Sequence, residues 1–218
     1  IIAVIGIVFF LKDESSSSNI EGAFSKLSIT SQASIVESRI IDCLQTTAEE
    51  ADVTIGIQGG FYNEPSTGSE DVGFAFIPYY YDRGRFLQPT QQTIESELGK
   101  FIDDRIDDCI ESFAFEGFEL VYKRSESQSS ISKGQIKFKT NLKVSITKGD
   151  STEQFDLSDH EVIIPSKIMD AIEIATFITD SHKDDPDLIC MSCVSRMAEE
   201  RELFVDFLDF ESSDPTTL

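Results

Sequence analysis

The chain has 218 residues, of which 40% are hydrophobic, so it is long enough and apolar enough to bury a sizeable core. It carries 40 acidic and 18 basic residues, a formal net charge of −22. These numbers argue against global disorder, and the acidic surface argues against a nucleic-acid partner because it repels phosphates. The acidity fits either a solvated surface suited to a saline medium, which we favour, or a surface for cations or basic partners.

The chain opens with a run from Ile1 to Leu11 that is entirely apolar or glycine. As a helix this run would span about 17 Å, little more than half of a hydrocarbon core of about 30 Å. We interpret it as part of a membrane anchor or signal segment, the alternative being a buried strand or core helix. The predicted organisation is an anchor at 1–12, a Ser-rich stalk at 13–30, one extracytoplasmic domain at 31–211 and a disordered tail at 212–218.

Two amphipathic helices are predicted in the first half of the chain. The first covers Ser34 to Ala51, with Cys43 beside its apolar stripe. The second begins after Thr90 as N-cap and reaches Phe113, with Cys109 on its buried side. Its other face carries acidic residues that we interpret as solvated, because their spacing does not match a calcium loop. These residues are Glu97, Asp103, Asp104, Asp107, Asp108 and Glu111.

Between the two helices, the stretch from Ile55 to Pro89 concentrates glycines, turn signals and aromatic residues. Gly59 and Gly60 permit positive φ or close backbone approach, and Pro78 ends a short apolar strand. We predict a two-strand excursion with aromatic residues clustered at its base. The residues proposed as a binding surface are Phe61, Tyr62, Tyr79, Tyr80 and Tyr81, although simple packing at the base is an alternative for the tyrosines.

The second half of the chain predicts strands followed by helices. Gln135 to Thr147 alternates with period two, apart from an interruption at Thr140, and predicts a meander of about three strands. A third helix is expected over Lys167 to Asp180, a fourth after Pro186, and a strand over Leu203 to Phe210. The predicted fold is therefore α+β, with an antiparallel sheet of about four to six strands packed against three to four helices, and an N-terminal hydrophobic anchor segment.

Several short motifs resemble a group of uncharacterised archaeal membrane-anchored proteins. The motifs are Gly56-x-Gln58-Gly59-Gly60-Phe61, Ile77-Pro78-Tyr79-Tyr80 and Ile189-Cys190-x-x-Cys193. Proteins of that group have an N-terminal membrane helix and one extracytoplasmic α+β domain. The resemblance implies a location at the cell membrane, facing outside the cytoplasm, and a single folded unit. It implies no reaction.

The four cysteines form two candidate pairs. A disulfide between Cys43 and Cys109 would join the two helices at the base of the excursion, the alternative being two free buried thiols. Cys190 and Cys193 form a CxxC near a helix start, for which we favour a local structural disulfide. Buried thiols, a redox pair, and a metal site completed by His182 are the alternatives, in that order.

Motifs of catalysis are absent from the sequence. It has no GxSxG elbow, HExxH, P-loop or dinucleotide fingerprint, and it has only two histidines for base chemistry. We expect no catalytic residue, cofactor or metal. The predicted function is a membrane-anchored cell-envelope protein with a non-enzymatic binding or scaffolding domain, whose partner is an envelope protein or a glycan. The alternative is an envelope thiol–disulfide protein acting through Cys190 and Cys193, and a pilus-like subunit is a third.

Overall fold

A computed structural model describes residues 27–111, 118–184 and 189–205. This part of the chain contains four helices and ten short strands, and all strand pairs are antiparallel, so the predicted α+β class is confirmed. The helices are α1 Ile29–Ile57, α2 Gln91–Glu111, α3 Ile168–Asp184 and α4 Met191–Glu200. The strands are β1 Ser69–Asp71, β2 Phe76–Pro78, β3 Tyr81–Asp82, β4 Arg85–Phe86, β5 Glu119–Tyr122, β6 Glu126–Ser132, β7 Gln135–Asn141, β8 Lys143–Lys148, β9 Ser151–Asp156 and β10 Glu161–Pro165.

Helix α1 is longer at both ends than the sequence predicts. It begins after Ser28, whose hydroxyl caps the Ser31 amide, so the last two residues assigned to the stalk are helical. It ends in a Schellman motif, in which the Gly60 amide donates to the Ile55 carbonyl at 2.8 Å. The polar run before Asp52 suggested an end at Ala51, but the chain offers no helix breaker before the two positive-φ glycines, Gly59 and Gly60.

Helices α1 and α2 form an antiparallel pair. The N-terminus of α2 is capped by the Thr90 hydroxyl, as predicted, and Ile94 in its first turn packs against Gly60 at the end of α1. Near the other end of α2, Cys109 is bonded to Cys43 in the middle of α1. Buried aliphatic residues of both helices join those of the strands in one large core.

Strands β5 to β10 form a three-stranded meander that is bent in the middle. β7 and β8 are separated only by Leu142 and form its central strand, and they pair on either side with β5–β6 and β9–β10. The bend divides the predicted single sheet into two three-stranded ladders, ordered β10-β7-β6 and β5-β8-β9. The inward alternation continues through the bend, since Thr140 is buried and its hydroxyl pairs with Ser127 at 3.0 Å. Thr140 therefore does not interrupt the pattern.

Helix α2 covers the open edge of β6 with a stripe of residues spaced four apart. The Ile131 amide donates to Glu95 at 2.9 Å and the Ser127 amide donates to Asp103 at 3.2 Å. Between these contacts lies Gly99, where a Cβ atom would be only 2.7 Å from the Ser127 carbonyl oxygen. The prediction that Asp103 belongs to a solvated face is therefore wrong, because its carboxylate completes the hydrogen bonding of a strand edge.

Helices α3 and α4 share a second, smaller hydrophobic cluster, formed by Ile174, Val194 and Ala198 with half-buried neighbours. Arg201, just after α4, donates two hydrogen bonds to Glu173 on α3, at 2.9 and 3.2 Å. α3 runs past the predicted end at Asp180 to Asp184. The strand predicted from Leu203 is not formed over 203–205, and the rest of it, like Pro186, lies outside the described residues.

The predicted anchor, residues 1–12, also lies outside the described residues. Among the helices that the structure does describe, none combines the length and the apolar character needed to cross a bilayer.

Replacing Gly99 by alanine should destabilise the protein by about 1–3 kcal/mol, because the new methyl group forces α2 away from β6. Gly56→Ala is the matched control, since a Cβ atom at this helical glycine meets nothing within 4 Å. That variant should be unchanged or up to about 1 kcal/mol more stable. Urea unfolding followed by circular dichroism measures both. Equal stabilities would show that α2 does not approach β6 this closely.

Candidate functional site

The stretch from Ile55 to Pro89 is held in place by α2. The amides of Tyr62 and Asn63 both donate to one carboxylate oxygen of Glu97, at 3.0 and 3.4 Å, and Lys100 pairs with the other oxygen. Glu97 is only 7% exposed, which overturns its predicted place on the solvated face. A carboxylate buried this deeply persists because charged and amide donors surround it.

The Cys43–Cys109 pair lies at disulfide-bonding distance, but it does not lie at the base of this stretch. Its Cα atoms are 6.2 Å apart, and α1 continues from Cys43 to Ile57 for about 21 Å, or about four turns. The expected position is wrong because α1 does not end at Ala51. Closing a loop of this length stabilises the fold by about 4 kcal/mol on the loop-entropy model. The open hollow beside the bond, about 760 Å³, is walled largely by charged side chains, including Arg39, Asp42 and Glu50.

The five aromatic residues proposed for binding occupy different surroundings. Tyr62 packs edge-on against Phe101, with ring centroids 5.1 Å apart, and joins the main core. Tyr79 is exposed and donates to Glu70 at 2.9 Å, whereas Tyr81 packs edge-on against Phe86. Phe61 is half-buried.

Tyr80 is the one of the five that lines a groove. Its hydroxyl donates to the Gly59 carbonyl at 2.8 Å, and burial raises the pKa of Tyr80 to about 12. The ring is thereby held against the Schellman motif that ends α1. It contributes apolar area to the wall of the groove, while its hydroxyl is already engaged by the backbone.

The groove has a volume of about 590 Å³ and lies between three segments of the chain. The end of α1 forms one wall, the β2 segment with Tyr80 forms the second, and α3 with Leu203 forms the third. The side chains that face it are mostly apolar: Val53, Ile57, Ile77, Pro78, Ile168, Ala171, Ile172 and Ala175. This size and composition are those of sites that bind small molecules or apolar side chains.

Two charged residues border the groove. Asp52 on α1 accepts a hydrogen bond from the Ser166 hydroxyl at 2.7 Å; burial raises the pKa of Asp52, and this hydrogen bond offsets part of the rise. The Lys167 ammonium donates to the Arg201 carbonyl at 2.9 Å and lies near the carboxylates of Asp170 and Glu202. The groove therefore presents an apolar floor with one carboxylate and one ammonium group at its border.

The sequence indicated this groove only in part. Gly59, Gly60, Pro78 and Tyr80 belong to the stretch singled out for its unusual residues. The opposite wall, formed by α3, is more than seventy residues away in the sequence, and its apolar residues appeared to be ordinary core positions. Ile168 and Ile172 follow a helical repeat that does not distinguish a groove wall from a core face.

Cys190 and Cys193 are also joined by a disulfide, with Cα atoms 5.2 Å apart. Cys190 is the N-cap residue of α4 and both cysteines are half-buried. Across residues 27–111, 118–181 and 189–205, no group of three His, Cys, Asp or Glu side chains is arranged to hold a metal ion; the side chain of His182, the predicted further ligand, lies outside the described part of the chain. Comparisons with protein-family models, curated proteins and solved structures return no match.

Asp52→Asn should raise the melting temperature at pH 7, since the amide still accepts from Ser166 and no charge is buried. Burial holds the folded-state pKa of Asp52 above the ordinary value of 3.8 for an aspartate, so ionisation destabilises the fold as the pH rises above that value. The difference in melting temperature between Asp52→Asn and the parent should vanish below pH 3.8, where the carboxyl group is protonated in both the folded and the unfolded chain. Asp159→Asn, at an exposed position, controls for the change in net charge. A pH-independent difference in melting temperature would contradict this assignment.

Proposed function

We propose that the protein is a cell-envelope binding domain, anchored to the membrane through its N-terminal segment, that takes up an apolar peptide segment of a partner protein. The groove between α1, β2 and α3 carries this proposal. Its volume of about 590 Å³ falls in the range of ligand sites, and its lining is dominated by aliphatic side chains.

The rim of the groove extends its apolar surface. Val53 is 61% exposed and Ile57 is 49% exposed, and both lie on the last turns of α1 beside the opening. Adjacent exposed aliphatic residues are unfavourable in water, and in soluble domains they commonly mark interaction surfaces. A partner segment lying across the rim would cover both residues.

Charge favours a cationic peptide among the apolar occupants. The chain has a net charge of −22, and the Asp52 carboxylate stands in the groove wall, while the Lys167 ammonium at the groove is paired with Asp170 and Glu202. A segment whose apolar residues alternate with lysine or arginine would fill the groove with its apolar side chains. Its positive charges would be attracted by the negative charge of the protein. A glycan fits less well, because its hydroxyl groups require more polar partners than this lining offers.

A location outside the cytoplasm is consistent with the cysteines. All four form disulfides, and such bonds persist mainly in oxidising compartments. The apolar run at residues 1–11 and the resemblance to archaeal membrane-anchored proteins support an anchor.

The groove is tested with a fluorescein-labelled peptide of alternating leucine and lysine. Fluorescence anisotropy should show saturable binding that Ala175→Trp weakens at least ten-fold, because the indole fills the groove. Ser34→Trp is the matched control, as it places the same side chain at an exposed position on α1, outside the groove. Equal affinities for the two variants would show that the peptide binds the acidic surface in general, and would refute the proposed site.

The anchor is tested separately by expressing the gene with its native N-terminus. The product should sediment with membranes, resist carbonate extraction and be digested by protease added outside the cytoplasmic membrane. Deleting residues 1–12 together with any preceding residues should release it into the soluble fraction. A full-length product found in the cytosol would contradict the proposed membrane anchor. It would not bear on the proposal that the groove binds a peptide.

A further inference from the structure

We infer that Cys190–Cys193 is a redox-active disulfide that accepts two electrons from a dithiol of another protein. The inference does not depend on the groove. It follows from the position of the pair on α4, from what holds that helix in place, and from how little of the chain the bond constrains.

The pair occupies the first turn of a ten-residue helix. The Cys190 carbonyl accepts the amides of Cys193 and Val194, both at 3.0 Å, so the two cysteines are held at the positively polarised end of α4. A thiolate released here is stabilised by the helix N-terminus, which makes it a good leaving group in exchange. Both cysteines are half-buried and the residues between them, Met191 and Ser192, are exposed, so a partner can approach. In the other disulfide Cys43 is 5% exposed, whereas Cys109 is half-buried.

Helix α4 is fixed in place by contacts other than the disulfide. Val194 and Ala198 are buried against α3, and Arg201 donates two hydrogen bonds to Glu173. The Lys167 ammonium also donates to the Arg201 carbonyl. Reduction of the disulfide therefore leaves the helix docked, which a reversible redox centre requires.

The bond itself constrains little of the chain. Its cysteines are 3 positions apart, whereas those of the other disulfide are 66 apart. Because the stabilisation from a crosslink grows with the length of the loop it closes, Cys43–Cys109 is the structural bond of the two. Cys190–Cys193 therefore contributes less to the free energy of unfolding, and it can be reduced and reformed in thiol–disulfide exchange at little cost to the fold.

The exchange is balanced by a partner dithiol. One partner thiolate attacks a sulfur of the pair, forms a mixed disulfide and releases the other sulfur as a thiolate. The second partner thiol then attacks the mixed disulfide, which closes the partner's own disulfide. The protein has gained two electrons and two protons, and Cys190 and Cys193 are both thiols.

The first test places the full chain in buffers of reduced and oxidised dithiothreitol, alkylates the free thiols and measures each cysteine peptide by mass spectrometry. Cys190 and Cys193 should be half-reduced at a reduced-to-oxidised ratio at least ten-fold lower than Cys43 and Cys109. Reduction of both pairs at the same ratio, or of Cys43–Cys109 first, would overturn the inference.

The second test measures thiol reactivity in the Cys193→Ser variant, whose fold is checked by circular dichroism. Its free Cys190 should react with iodoacetamide at pH 7 at least ten times faster than the same chain in denaturant. The double variant Cys190→Ser/Cys193→Ser should melt within about 2 °C of the parent, whereas Cys43→Ser/Cys109→Ser should melt much lower. A slow Cys190 thiol, or a large loss of stability in the Cys190/Cys193 double variant, would identify a structural bond and overturn the inference.

Discussion

The contact between α2 and the edge of β6 is the constraint on which the fold depends. Asp103 and Glu95 accept amides that a neighbouring strand would otherwise bind, and Gly99 lets the helix backbone come close enough for them to do so. The same helix holds the aromatic stretch through Glu97 and joins α1 through Cys109. Part of the acidic composition therefore has a structural role, because the carboxylates of Glu95, Glu97 and Asp103 accept hydrogen bonds from backbone amides.

The groove is a consequence of that arrangement. α2 fixes the segment that follows α1, the Schellman motif turns this segment back, and Tyr80 is bonded to Gly59 at the turn. The third wall comes from α3, which follows directly from the last strand of the meander through Ser166. The walls belong to separate elements, so the shape of the groove is set by the packing of each element against its own neighbours.

Local patterns in the sequence predicted most of the helices and strands, although not all of their ends and not the contacts between them. Thr90 as a cap and the alternation of β7 and β8 were predictable, since each depends on neighbours within a few residues. Glu97 and Asp103 were misassigned because a helical repeat shows a polar face without showing what covers it. The disulfide partners Cys43 and Cys109 were found, while their position depended on the length of α1. The groove joins segments too distant for any local pattern.

The division of the apolar residues into two clusters has a dynamic consequence. The main core unites α1, α2 and the meander, whereas Ile174, Val194 and Ala198 form a separate group that holds α4. The contacts with α3 keep α4 docked in the native state, but a smaller cluster gives it a lower free energy of local opening than the main core. The CxxC thus lies on a helix whose packing is separate from the main core.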